Sequence, residues 1–138
     1  MRNIEQYDVF RLSDELVLRV YDGTRKFPRD EMYALVSQLR RAAYSIPLNL
    51  VEGATRPSAK DFGYFLNIAI GSCEEVRYLI SLAGRLGYLP EDSRRALADD
   101  YEKVKMMLTK LRSAVVGRAG RPQLDAVSGM RLAEGGLR

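Results

Sequence analysis

The sequence contains no histidine and only one cysteine, Cys73, in 138 residues. Without histidine, the chain cannot build a zinc site of the Cys/His type or the Ser-His-Asp and Cys-His relays of many hydrolases. A single cysteine also excludes an intramolecular disulfide. The phosphate-binding loop GxxxxGKS/T and the dinucleotide motif GxGxxG are absent as well. These absences predict a protein that is not an enzyme and that needs no cofactor or metal.

Long apolar runs are also missing, because charged residues interrupt them every few positions. A membrane-spanning helix needs about 20 predominantly apolar residues, and the first five residues, MRNIE, do not resemble an export signal. We therefore expect a cytoplasmic protein without membrane contact. The 22 basic and 18 acidic residues give a formal net charge of +4, which permits an anionic partner without requiring one.

Four segments show the 3.6-residue apolar period of amphipathic helices, and none shows the strict alternation of a half-buried strand. The predicted helices run from about Tyr7 to Thr24, from Pro28 to about Thr55, from Ser58 to about Leu86 and from Pro90 to about Val116. Pro47 should kink the second helix without breaking it. Ser58 and Asp61 resemble a capping box at the start of the third.

Short turns between these helices predict an all-α fold, an antiparallel up-down four-helix bundle over residues 1–118. Its core would include Cys73, which lies on the apolar face of the third helix and is interpreted as a small buried hydrophobe. Residues 119–138 are rich in glycine and poor in apolar side chains, so we expect a flexible tail there.

A polar stripe runs along the second helix and another along the third. They consist of Gln38, Arg41, Ser45, Asn49 and Glu52 on the former and of Asn67, Gly71, Glu74 and Tyr78 on the latter. Each repeats every three or four residues and so occupies one helix face. We interpret six of these residues as a structural or inter-subunit hydrogen-bond network: Gln38, Arg41, Asn49, Glu52, Asn67 and Glu74. In it the planar guanidinium of Arg41 can donate two hydrogen bonds to a carboxylate. The alternative is a pocket with Glu52 and Glu74 as catalytic acid and base.

Charge is segregated along the fourth helix, with acids in its first half and cations from Lys103 onward. The candidate nucleic-acid-binding residues are Lys103, Lys105, Lys110, Arg112 and Arg118. The alternative is that these cations complement the helix dipole and form a solvated face. No aromatic residue lies between them in the sequence, so base stacking is not predicted.

The second helix has further apolar residues opposite its core face. They are Tyr33, Tyr44, Leu48 and Val51. A monomeric bundle would leave them in water, and exposed apolar patches of this kind mark interaction sites. The pattern therefore predicts a homo-oligomer.

Several short stretches between about residues 5 and 116 form a specific pattern. They include Gln38-Leu39-Arg40-Arg41-Ala42, Ser45-Ile46-Pro47, Glu52-Gly53, Gly71-Ser72, Glu74-Glu75 and Leu86-Gly87-Tyr88-Leu89. In these stretches the sequence resembles the four-helix-bundle proteins encoded in intervening sequences of bacterial 23S ribosomal RNA genes. The resemblance implies a bundle that assembles into a homopentameric ring and has no established enzymatic activity.

A related branch, the accessory variability proteins of diversity-generating retroelements, is similar in fold. The resemblance to that branch implies a basic pentameric barrel that binds nucleic acid and a reverse transcriptase. Our leading hypothesis is a non-enzymatic oligomeric scaffold that binds RNA or DNA electrostatically, with ribosomal RNA or a reverse transcriptase among the expected partners. A pure protein-protein interaction module is the first alternative, and an enzyme that uses Glu52 and Glu74 is the second.

Overall fold

The four periodic segments form four α-helices in the computed structural model, which describes residues 2–119. The helices are α1 (Asp8–Thr24), α2 (Ser37–Ala54), α3 (Ala59–Arg85) and α4 (Glu91–Ala119). No strand occurs within these residues, and the predicted all-helical class is confirmed. The tail expected at 119–138 falls, except for Ala119, outside the described residues.

The helix ends follow local capping chemistry. Ser58 precedes α3 in an extended conformation, and its Oγ accepts a hydrogen bond from the Asp61 backbone N–H at 3.1 Å. The capping interaction predicted at this position is therefore present. After α3, Gly87 adopts a φ of +80°, in the left-handed region that favours glycine. This residue turns the chain toward α4.

The start of the second helical segment differs from the sequence prediction. A 3₁₀ turn (Arg29–Glu31) and a π-helical turn (Met32–Val36) precede α2, where a continuous α-helix from Pro28 was expected. The wider π turn holds an extra residue. In this turn Leu35 and Val36 are both buried, while Tyr33 is 92% exposed. From Ser37 onward α2 continues through Pro47 without interruption, as predicted.

All four helices contribute to one core. Among the largest fully buried side chains are Leu16 from α1, Ile46 and Leu50 from α2, Phe62 and Ile80 from α3, and Tyr101 and Leu108 from α4. The prediction that Cys73 belongs to the core is confirmed, since it is fully buried and its thiol donates to the Tyr101 carbonyl at 3.3 Å. Burial raises the pKa of this thiol to about 12, so it stays protonated near neutral pH.

Glycines allow close packing at one end of the molecule. A Cβ on Gly53 would lie 2.8 Å from the Phe65 Cβ, and a Cβ on Gly63 would lie 2.8 Å from the Val116 side chain. The end of α2 and the end of α4 can therefore both lie close against the first turns of α3. Gly71 is different, because a Cβ there would meet nothing within 4 Å.

Candidate nucleic-acid interface

The predicted cations of α4 divide into two groups. Lys103 lies 3.8 Å from an Asp100 carboxylate oxygen, and Lys105 lies 3.5 Å from a Glu74 oxygen. Lys110 has no ion-pair partner among the described residues, and Arg112 donates only to the neutral Asn67 side chain, at 3.1 Å. The side chain of Arg118 lies outside the part that the structure describes. The uncompensated charge is therefore at the C-terminal end of α4.

An ion cluster ties the middle of α3 to α4. Arg77 donates to Glu74 at 2.7 Å and also pairs with Glu102 of α4, while Lys105 completes the cluster. Partial burial raises the pKa of the Glu74 carboxyl, but the hydrogen bonds and charges of Arg77 and Lys105 outweigh it and leave this pKa below its usual value. Glu74 is thus an ionised structural partner of these two cations.

Three further cations lie at the same end of the molecule as the free cations of α4. Asn67 accepts a hydrogen bond from Arg112, and Gly63 lies against Val116, so the first turns of α3 lie beside the end of α4. Lys60 belongs to these turns, Arg56 precedes them, and Arg2 donates to the Arg56 carbonyl at 2.7 Å. We call the set Arg2, Arg56, Lys60, Lys110 and Arg112 the basic end. None of the five has a carboxylate within 4 Å among the described residues, although Glu52 and Asp61 are in the same region.

Two guanidinium groups of the basic end stack on phenylalanine rings. The Arg2 guanidinium lies 4.5 Å from the Phe62 ring centre, and the Arg56 guanidinium lies 4.7 Å from that of Phe65. Sequence reasoning did not include Arg2, Arg56 or Lys60 among the candidates, because the rings beneath the arginines come from α3 and not from the cationic segment itself. No local spacing in the sequence indicates these contacts, since Phe62 and Phe65 fit the apolar period of α3 as core positions.

Most of the chain matches the sequence model of one known family. The profile of the 23S rRNA-intervening sequence protein family matches residues 5–110. The chain belongs to this family. The comparison with curated proteins found no match.

A solved structure is similar in fold. It is a protein with unknown function from the S23 ribosomal protein family of Bacteroides thetaiotaomicron VPI-5482. The two chains share 23% sequence identity with a TM-score of 0.69, over 75% of this chain and 97% of the other. For this member of the 23S rRNA-intervening sequence protein family, the likeness supports the helical fold.

The predicted polar stripe links α2 to α3 at two points and does not form one network within the chain. Gln38 donates to Glu75 at 3.0 Å. The hydroxyls of Ser45 and Ser72 lie 2.8 Å apart, and Asn49 donates to Ser45 on its own helix. The side chains of Arg41 and Glu52 are exposed, and no hydrogen bond or ion pair involves them within residues 2–119.

Glu52 and Glu74, the two carboxylates of the enzyme hypothesis, share no hydrogen-bond or ion-pair partner among the described residues. Gly53, next to Glu52, lies against Phe65, which precedes Glu74 by nine residues. The rise from Phe65 to Glu74 is about 13 Å along α3, so the backbones of the two glutamates lie at different levels of the helix pair. Glu74 is also paired on the side that faces α4. In the described part of the chain, moreover, no group of three acidic or cysteine residues could hold a metal ion.

The outward face of α2 and α3 exposes large apolar side chains. On α2 they are Tyr44, Leu48 and Val51, and on α3 they are Tyr64, Ile68 and Tyr78, between 37% and 63% exposed. On α2 the three residues follow each other at four and three positions. On α3 Ile68 comes four positions after Tyr64 and Tyr78 comes fourteen positions after it. Each set therefore lies on one helix face. Gly71 lies on the same face of α3 as these three residues.

None of the described helices is long and apolar enough to span a lipid bilayer.

Proposed function

We propose that this protein is a non-enzymatic oligomeric scaffold that binds the phosphate backbone of RNA or DNA at its basic end. The observation that carries the proposal is the set of five cations without a carboxylate partner. Exposed cations near acids form ion pairs of low net strength, as Lys103 and Lys105 do. Cations without such partners retain their full charge for an external anion, and phosphates are the anions that nucleic acids present at regular spacing.

The helix order supports the same arrangement. We propose an antiparallel up-down bundle, because the Asn67–Arg112 bond and the Glu74–Lys105 pair connect early α3 to late α4 and later α3 to earlier α4. The C-terminal end of α4, the end of α2 and the start of α3 then share one end of the bundle. This topology gathers cations that are far apart in the sequence.

The outward face of α2 and α3 is the surface that we propose is covered by a second copy of the chain. Arg41 and Glu52, of opposite charge and without partners within the described chain, can pair between copies. Gly71 supports close contact there, since glycine inside a helix costs about 0.5–1 kcal/mol relative to alanine and nothing within the described chain requires it. A homopentameric ring, as the sequence resemblance implies, would repeat the basic end five times.

Nucleic-acid binding is tested by fluorescence anisotropy with labelled RNA and DNA over a series of salt concentrations. Replacing Lys110 and Arg112 together by alanine should weaken binding and reduce the salt slope by about 0.9 per lost phosphate contact on duplex DNA and by about 0.7 on a single strand. The matched control replaces Lys26 and Arg29, two exposed cations in the α1–α2 connection. It should leave affinity nearly unchanged. Equal effects of the two double variants would show that only total charge matters, and an absence of binding would favour a protein-interaction module.

Assembly is tested by light scattering. Leu48→Glu places a charge in the proposed interface and should reduce the mass of the particle toward that of one chain. The control is Leu18→Glu, because Leu18 is a leucine on α1 that is 70% exposed and lies away from this face. A monomeric wild-type protein at micromolar concentration, or dissociation by both variants alike, would contradict the assigned interface.

A further inference from the structure

The arginine stacks of the basic end are fixed in place by the packing beneath them. Gly53 has no side chain, so the end of α2 lies against Phe62 and Phe65, the two rings that carry the guanidinium groups. Arg56 follows three residues later and reaches the Phe65 ring, while Arg2 bridges the Phe62 ring and the Arg56 carbonyl. Before any ligand arrives, the Arg2 guanidinium is thus held by a ring and a carbonyl, and that of Arg56 lies against a ring.

The stacked geometry leaves a flat cationic surface toward solvent. The central carbon of the Arg56 guanidinium lies over the Phe65 ring, 4.7 Å from its centre, and the residue as a whole is exposed, so the side of the group away from the ring is open to solvent. No carboxylate lies within the distance of an ion pair among the described residues. A planar guanidinium can stack on a nucleobase while its N–H groups bind a phosphate, which a lysine ammonium cannot do.

We infer that Arg56 is a stacking site for one unpaired base and that the basic end therefore selects single-stranded over duplex nucleic acid. This inference rests on the nucleic-acid function proposed above. In a duplex the faces of each base are covered by its neighbours, so only phosphates remain for the cations. In a single strand a base can turn outward onto the Arg56 plane while Arg2 and Lys60 contact the adjacent phosphates.

The experiment compares a short single-stranded RNA with the duplex of the same sequence. The wild-type protein should bind the single strand about tenfold more tightly than the duplex, as expected for one stacked base. Arg56→Lys keeps the positive charge and removes the planar guanidinium. This variant should therefore lose the preference for the single strand and change duplex affinity less than about twofold. Lys60→Ala is the control, because it removes a positive charge that does not take part in stacking. It should weaken binding to the single strand and to the duplex to a similar extent.

A second measurement needs no variant for its main result. A 2-aminopurine base in a single-stranded oligonucleotide should change its fluorescence when it stacks on wild-type protein, and Arg56→Lys should lose that change. Equal wild-type affinity for single strand and duplex, or a preference that survives in Arg56→Lys, would overturn the inference and leave phosphate binding intact. Failure of the wild-type protein to bind either nucleic acid would instead overturn the proposed function itself.

Discussion

Tyr101 offers a sharp test of the packing in the core. Its side chain is fully buried, and its hydroxyl has no hydrogen-bond partner among the described residues. Burial raises the pKa of this hydroxyl, so it remains a neutral group. Tyr101→Phe removes the hydroxyl and keeps the ring. We expect this variant to be more stable than the wild-type protein.

The magnitude follows from two opposing effects. A buried polar group without a partner costs about 1–3 kcal/mol. Removing one oxygen leaves a space of atomic size, which costs about 0.4 kcal/mol on the cavity scale of ~24 cal/mol per Å³. The net stabilisation from Tyr101→Phe is therefore about 1 kcal/mol. In a protein of this size that corresponds to a rise in Tm of about 3 °C.

The matched control is the same substitution at Tyr88. Its hydroxyl donates to the Glu31 carboxylate at 2.8 Å, and this bond connects the α3–α4 turn to the 3₁₀ turn before α2. Tyr88→Phe should therefore lower Tm. Both variants are measured by thermal and urea unfolding at one fixed protein concentration, since assembly makes Tm depend on concentration. A lower stability of Tyr101→Phe would mean that its hydroxyl is hydrogen-bonded and would refute the reasoning.

Three further predictions concern other parts of the molecule. Gly53→Ala should destabilise the fold by about 1 kcal/mol in urea unfolding, because overpacking against Phe65 at ~1–3 kcal/mol exceeds the gain in helix propensity; a stabilised variant would contradict this packing. A hydrogen bond from Arg94 lowers the pKa of Glu91 to about 2. The stability from this pair is present above pH ~4.5 and lost as pH falls toward ~2, so the difference in Tm between wild type and Glu91→Gln should shrink over that range. The Cys73 thiol should react with a thiol reagent only in denaturant, and rapid modification of native protein would show that the core is open.

The periodic pattern of the sequence predicts most of the fold. The apolar period located all four helices, and the extent of α1 and the cap of α3 agree with the structure within a residue or two. The π turn before α2 was missed, because a single extra residue changes the phase of the pattern over too few positions to be read. Propensity also gives no sign of it, since Met32 to Val36 suit an α-helix equally well.

The candidate site was only partly accessible to sequence reasoning. The cationic end of α4 is visible as a run of like charges, and Lys110 and Arg112 lack a carboxylate partner among the described residues. The pairing of Lys105 with Glu74 joins residues 31 positions apart, so no local spacing indicates it. The same holds for Arg2, which contacts Phe62, 60 positions later in the sequence. Tertiary packing decides which cations are compensated.

The π turn marks a place where the second helical segment can change its length. A π turn is an α-helical turn with one residue added, so deleting a residue between Met32 and Val36 would restore a regular helix. The flanking turns would keep their phase, because the added residue is accommodated within the π turn itself. The bond between Glu31 and the Tyr88 hydroxyl and the connection to α1 would therefore stay close to their present positions. A deletion from the regular helix of α2 would instead rotate everything before it by about 100° around the axis and shift it by about 1.5 Å.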